Sequence, residues 1–215
     1  MRSQFHLSSR VVVVLVGLSL RLGWVLVKGP GGLQYSDDAR AYNDLAVNLV
    51  THHRFVTAID APHRLDLPYA QRPPLTPLVI GAVYSVFGTH LLAAQILLAV
   101  IGAVSALLVF ELGRQLFQEP VALIAGLTTA IYPFFVFLSA VPLTENLAIA
   151  FYSLLALLFV RNHTSSSIWS AAFIGSVLGL ATLNRPQLLG FLPFLCLLPL
   201  PAGLAFLHRG RSGTA

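Results

Sequence analysis

The sequence predicts an all-α, polytopic membrane protein, and three observations carry that prediction. Of 215 residues, 56 % are hydrophobic and only 10 % are charged, against roughly 25 % charged in an ordinary soluble domain. The mean hydropathy is +0.79. Several apolar runs approach the ~20 residues that a helix needs to cross a bilayer. These runs are continuous and lack the dyad alternation of an outer-membrane barrel. A soluble enzyme of this size would need far more polar surface, so that class is excluded. The formal net charge is +5, with 13 Lys and Arg, but these residues scatter at the ends of the apolar runs, as the positive-inside rule asks. Nucleic acid is therefore not an expected partner. The single Cys196 lies inside an apolar run and says nothing of redox compartment.

The first apolar run, residues 11–27, follows a short basic start with Arg2 and Arg10. No small-residue cleavage site follows it, so it reads as an anchor rather than a signal peptide. A mostly polar stretch, residues 28–90, comes next. Further runs occupy residues 91–112, 121–140, 142–160, 168–183 and 186–207. A shorter run, residues 73–87, is led by Pro73-Pro74 and falls short of a spanning length. If it does not cross, the amino terminus is cytoplasmic and the chain crosses about six times. Arg114, Arg161, Arg209 and Arg211 then lie on the same side as Arg2 and Arg10. If it does cross, all four move outside. The positive-inside rule favours the first arrangement.

Residues 1–207 thus form a single transmembrane module in the cell (plasma) membrane. Residues 28–90 make a large first extracytoplasmic loop carrying juxtamembrane helices, with residues 73–87 as a partly buried helix at the outer face. Residues 208–215 form a short basic cytoplasmic tail.

Most carboxylates gather on the outer side of this arrangement, with several histidines and arginines. Charged groups beside hydrocarbon are costly and usually functional, so a pocket between the first loop and the outer span ends is the default site. Arg21, inside the first span, is expected to snorkel outward or to meet a loop carboxylate.

Residues 36–51 read as an amphipathic helix. Asp37, Ala41, Asp44 and Asn48 share one face; Tyr42, Leu45, Ala46 and Leu49 share the other, placed against the membrane surface. Ser36 is the expected N-cap, with Asp37 and Asp38 favoured by the helix dipole. A capping acid can still be a base, so both roles stand. Arg72, held before Pro73-Pro74 in an extended lead-in, suits a phosphate through a planar bidentate contact; it suits a lipid headgroup equally. Glu145 opens one span and Arg185 closes another before Pro186. A Glu145–Arg185 pair across the outer rim would join the two, though spacing alone does not show it.

The order of these pieces resembles a known superfamily. An amino-terminal span precedes Ser36-Asp37-Asp38-Ala39-Arg40, then Arg72-Pro73-Pro74-Leu75, then a short helix ending in Phe87-Gly88. Leu112-Gly113-Arg114, Thr144-Glu145 and Asn184-Arg185-Pro186 follow. The series resembles the GT-C membrane glycosyltransferases of the protein O-mannosyltransferase and aminoarabinose-transferase superfamily. The resemblance implies transfer of a sugar from a polyprenyl-phosphate-linked donor to an acceptor hydroxyl at the extracytoplasmic face. It places an aspartate of the acidic pair at the catalytic centre, mapping to Asp37, with Asp38 as its acidic neighbour and Arg40 as a basic position one turn on. It maps the lipid-phosphate contact to Arg72 and puts Gln71 where some relatives carry an acid. Gln71, Arg40, Arg72, Glu145 and Arg185 are the expected substrate-binding set.

Asp37, rather than Asp38, is the expected general base, because it opens the polar stripe shared with Asp44 and Asn48. Direct displacement with one base would invert the anomeric centre. No cofactor is fixed by these motifs and a divalent metal stays open, although neighbouring Asp37 and Asp38 diverge by ~100° on a helix and chelate one ion poorly together. The expected partners are the donor and membrane lipids, with the acceptor undetermined. Relatives are commonly longer, so the chain reads as a short or truncated member. The competing function is a catalytically inactive relative serving as a lipid-carrier-binding or accessory subunit, or a transporter fragment. A transporter should show paired broken helices or a repeat with charge near mid-membrane, and the sequence displays neither.

Overall fold

The computed structural model describes residues 2–57, 72–162 and 167–191. Every regular element among them is helical, so the protein is all-α as its composition requires. In chain order these are α1 (Arg2–Lys28), α2 (Asp37–His52), α3 (Leu75–Phe87), α4 (Leu91–Leu116), α5 (Glu119–Ile131), α6 (Pro133–Phe137), α7 (Thr144–Asn162) and α8 (Ile168–Asn184). Among the described residues three helices are long and apolar enough to cross a membrane, and α5 reaches that measure only together with residues Pro133–Ala140, to which it is bent. At 17 residues α8 is shorter, but apolar throughout. The last apolar run begins as a 3-10 segment, Pro186–Phe191, and the remainder lies outside the described residues.

Helix α4 is the centre of the bundle and packs against α1, α5 and α7. Small residues permit this. A Cβ added at Gly113 would lie 2.9 Å from the Ala122 Cα, so only glycine lets α4 and α5 touch there.

The ends of the helices sort by partner. At one end Glu111, on α4, accepts from Arg10 on α1 (2.6 Å) and Arg161 on α7 (3.3 Å), with Arg114 at 3.5 Å. Ser9 donates to Glu119 at the start of α5 (2.9 Å). At the other end lie Lys28, α2, α3, Thr144 and Asn184. Successive spans therefore alternate in direction. Helix α3, too short to count among these spans, begins and ends at this end of the bundle: its Thr76 bonds Asn184 at the far end of α8 (2.7 Å), and Gly88 after it leads back into the start of α4.

Three expectations need correction. The run 121–140 is not one helix: it bends by 50° at Tyr132. Pro133 has no N–H for the Thr129 carbonyl and holds Tyr132 at φ −58, ψ 120, outside the helical region.

Arg21 neither snorkels nor meets a carboxylate. It is 1 % exposed and donates to the carbonyls of Ala130 (2.8 Å), Thr129 (3.2 Å) and Gly17 (3.1 Å). The break supplies the reason: it leaves the last carbonyls of α5 without helical donors, and a guanidinium carries five N–H groups to satisfy them. Gly102 makes the room, since a Cβ there would overlap the Arg21 side chain. A charge thus does lie within the bundle, beside a broken helix. Only one such break occurs among the described spans, and the gap beside Arg21 has no room for a water molecule. That is a clamp, and it lacks the paired broken helices of a transporter site.

Finally, α2 lays its apolar face on protein rather than on the membrane. Tyr42, Leu45 and Ala46 are buried as expected, joined by Ala39 and by Ala41, which the helical wheel had put on the polar face. Ala46 packs with Ile80 and Tyr84 of α3 and Ala94 of α4, and Ala39 packs with Val25, Ala140 and Val141. Neighbours from several elements flank α2, so its buried arc is wider than one face.

Candidate functional site

Ser36 opens α2 as predicted: extended at φ −163, ψ 137, it accepts from the Asp38 N–H at 3.1 Å. The cap fixes where the first turn begins, and so where each acid points. Asp37 turns outward to Arg40 (3.2 Å) in an exposed i,i+3 pair, its side chain 78 % exposed. Asp38 turns the other way, towards Arg72 (2.5 Å), across a sequence separation of 34 residues.

Arg72 is the better-buried partner, at 15 % side-chain exposure. Its guanidinium lies 5.4 Å from the Tyr42 ring centroid, a cation–π contact that also limits where the planar fork can face. Burial pushes the Tyr42 phenol up from its ordinary value, against the opposing pull of Arg72, so the tyrosine stays a neutral platform. Burial likewise raises the Asp44 carboxyl.

The second constellation forms at the helix ends. Arg185, in extended conformation after α8, donates to Glu145 on the first turn of α7 at 3.2 Å. Both side chains are about one-third exposed, 33 % and 34 %. The pairing that spacing alone could not establish is therefore made.

Both ion pairs line one cavity of about 450 Å³. Asp38, Tyr42, Arg72 and Pro73 come to it from α2 and the lead-in to α3; Thr144, Glu145, Thr182, Arg185 and Gln187 come from the ends of α7 and α8. Of the residues singled out in the sequence, Asp38, Arg72, Glu145 and Arg185 come together here. Asp37 and Arg40 do not line the cavity and instead pair with each other. Gln71 lies outside the described residues.

Four lining polar residues, Tyr42, Thr144, Thr182 and Gln187, were not among the expected site residues; Thr144, and the buried Asn184 behind it, entered the sequence analysis only as neighbours of Glu145 and Arg185 in their motifs. Tyr42 carried a signal, falling four residues after Asp38 and hence on the same helix face. Asn184 stood in the Asn184-Arg185-Pro186 motif, but its contacts were hidden, because its partners are 40 and 108 residues away.

Chemically, the cavity presents two carboxylates and two guanidinium groups at one end of an apolar bundle. It can hold an anion on an arginine while a carboxylate takes a proton. No group of three or more His, Cys, Asp or Glu side chains gathers to hold a metal ion among the described residues.

Comparison with known proteins adds the family. No curated protein and no solved structure matches the chain. The family model of the dolichyl-phosphate-mannose-protein mannosyltransferases matches residues 71–208, well over half of the sequence. The match takes in Arg72, Glu145 and Arg185, and begins after α2. On that match, and with an all-α membrane fold to carry it, the chain belongs to the dolichyl-phosphate-mannose-protein mannosyltransferase family of GT-C-like membrane glycosyltransferases.

Proposed function

We propose that the protein transfers a sugar from a polyprenyl-phosphate-linked donor to an acceptor hydroxyl in the cavity between α2, α3 and the ends of α7 and α8, on the extracytoplasmic side of the cell membrane. The observation that carries this reading is the pairing of Asp38 with Arg72 at the wall of a rim cavity that also holds Glu145 and Arg185.

The acceptor hydroxyl gives its proton to a cavity carboxylate as its oxygen attacks the anomeric carbon. The bond from that carbon to the phosphate oxygen breaks, and polyprenyl phosphate departs with the electron pair. Transfer of this kind needs a base and a stabiliser of the departing charge. Asp38 is the base in this reading, because it lines the cavity and Asp37 does not. Arg72 holds the phosphate, through the fork that suits phosphate oxygens. Arg185 offers a second guanidinium from the end of α8. A single displacement of this form inverts the anomeric centre.

The test is transfer from polyprenyl-phosphate mannose in membranes, normalised to expression. Asp38→Asn should lose about 10²–10⁴-fold in rate, the usual range for general-base help, and Asp37→Asn should stay near the parent rate. An inactive Asp37→Asn beside an active Asp38→Asn would exchange the two roles. Activity in both would leave the pair as a helix cap.

A further inference from the structure

Behind the cavity wall runs a chain of buried hydrogen bonds that the transfer mechanism does not use. The Thr76 hydroxyl donates to Asn184 Oδ1 at 2.7 Å, and Asn184 Nδ2 donates to the Thr144 carbonyl at 2.9 Å. The Thr144 hydroxyl in turn lies 3.4 Å from Glu145 Oε2. Thr76 and Asn184 are 0 % exposed and Thr144 is 6 % exposed. Burying an amide is costly unless its groups are bonded, and here both ends of the Asn184 amide are used.

The placement of the links gives them meaning. Asn184 immediately precedes Arg185, Thr144 immediately precedes Glu145, and Thr76 opens the helix that Arg72 leads into through Pro73-Pro74. Proline holds its own φ and restricts the residue before it, so a displacement of the α3 start is carried to Arg72 rather than absorbed on the way. The lead-in that bears Arg72 and the helix ends that bear Glu145 and Arg185 belong to three separate elements, and this chain joins all three behind the cavity.

We infer that Asn184 is a positioning residue: with Thr76 and Thr144 it sets the distance between Arg72 and the Glu145–Arg185 pair across the cavity. This rests on the transfer reading for its consequence, and on the geometry alone for its existence.

The test uses the full chain with Cys196→Ser, spin-labelled through Leu78→Cys on α3 and Leu180→Cys on α8, both exposed. Thr76→Val removes the hydroxyl donor while keeping the side-chain outline, and Thr76→Ser returns it. The label-to-label distance distribution should broaden with Thr76→Val and recover with Thr76→Ser. Asn184→Asp, which keeps the acceptor for Thr76 and loses the donor to Thr144, should broaden it as well.

With polyprenyl-phosphate mannose as donor, Thr76→Val should raise KM about five- to tenfold, the effect of one net hydrogen bond, with kcat per folded molecule within about twofold. An unchanged distance distribution with Thr76→Val overturns the inference, whatever happens to KM or to Tm. A parent protein that transfers no sugar while its distribution still broadens with Thr76→Val would refute the transfer reading and leave the positioning role standing.

Discussion

Replacing Arg21 with methionine should destabilise the bundle, and restoring an N–H at position 133 should undo much of the damage. In the folded protein Arg21 satisfies the Thr129 and Ala130 carbonyls, which the break at Pro133 deprives of helical donors. Its third acceptor, the Gly17 carbonyl, lies within α1 and keeps its own helical partner. Arg21→Met therefore strands two carbonyls in an apolar interior. Each costs about 1–3 kcal/mol by the usual penalty for an orphaned buried acceptor, and about 0.6 kcal/mol per bond on the lower scale seen inside membranes. Across the two scales the sum is a loss of about 1–6 kcal/mol, reduced by whatever is gained in no longer burying a guanidinium.

Pro133→Ala gives the Thr129 carbonyl a backbone donor. In the Arg21→Met background it should be stabilising. With Arg21 present it should be destabilising, because straightening the span withdraws the acceptors of a buried cation. The assay is reversible unfolding in detergent, followed through Trp24, whose ring lies 6.5 Å from that of Phe137 across the α1–α6 contact. The expected signature is a change of sign in the effect of Pro133→Ala between the two backgrounds. Additive effects, within the ~0.5 kcal/mol expected of independent sites, would refute the clamp.

Three further outcomes follow from other parts of the molecule. Arg72→Lys should weaken donor binding partially and Arg72→Ala strongly, measured by titration with polyprenyl-phosphate mannose; unchanged affinity in the alanine variant would make Arg72 an interfacial anchor. Glu111→Gln removes the shared carboxylate of Arg10, Arg114 and Arg161 and should lower stability by about 1–2 kcal/mol, since those arginines are partly solvated, with donor KM unmoved at the opposite end of the bundle. With Cys196→Ser as background, an impermeant thiol reagent outside intact cells should label His52→Cys and not Gln115→Cys, and the reverse pattern would invert the proposed sidedness.

The sequence revealed what depends on local order and hid what depends on distant partners. The apolar helices, the Ser36 cap and the short helix α3 follow from hydropathy, capping chemistry and the paired prolines before α3, all local quantities. The Glu145–Arg185 pair was legible as an opportunity because both residues sit at span ends on one side. The break at Pro133 was legible in principle, but prolines are tolerated in membrane helices, and the run reads straight through by hydropathy. Arg21 was misread because its partners are main-chain carbonyls 108 and 109 residues away, and carbonyls carry no sequence signature. The apolar face of α2 was assigned to lipid because a helical wheel reports that a face is buried, not what buries it. The sequence favoured Asp37 as the base because it opens the polar stripe of α2, whereas the proposed base, Asp38, is chosen on a partner that local order does not show. Both acids fit a cap, and only the position of Arg72, 34 residues on from Asp38, distinguishes them.

That same Arg72–Asp38 pair gives the proposed transfer an order of events. In the resting pair Arg72 occupies an oxygen of the Asp38 carboxylate that the acceptor hydroxyl would otherwise reach. A phosphate on the donor competes for the same fork, through charge-assisted bonds of the same kind. As Arg72 passes from Asp38 to the phosphate, the desolvation already suffered by this 15 % exposed side chain is not incurred again, and the carboxylate is released towards the acceptor hydroxyl. Donor binding thereby arms the base, and an acceptor arriving first would meet a carboxylate still occupied. The consequence separates binding from turnover. Asp38→Asn removes the competitor for Arg72, so it should bind polyprenyl-phosphate mannose at least as tightly as the parent, by up to about tenfold for one charge-assisted bond no longer surrendered, while transferring sugar 10²–10⁴-fold more slowly, as loss of a general base demands. Weaker donor binding in Asp38→Asn would mean that the aspartate holds Arg72 in place for the phosphate rather than competing with it, and the proposed order of events would fall.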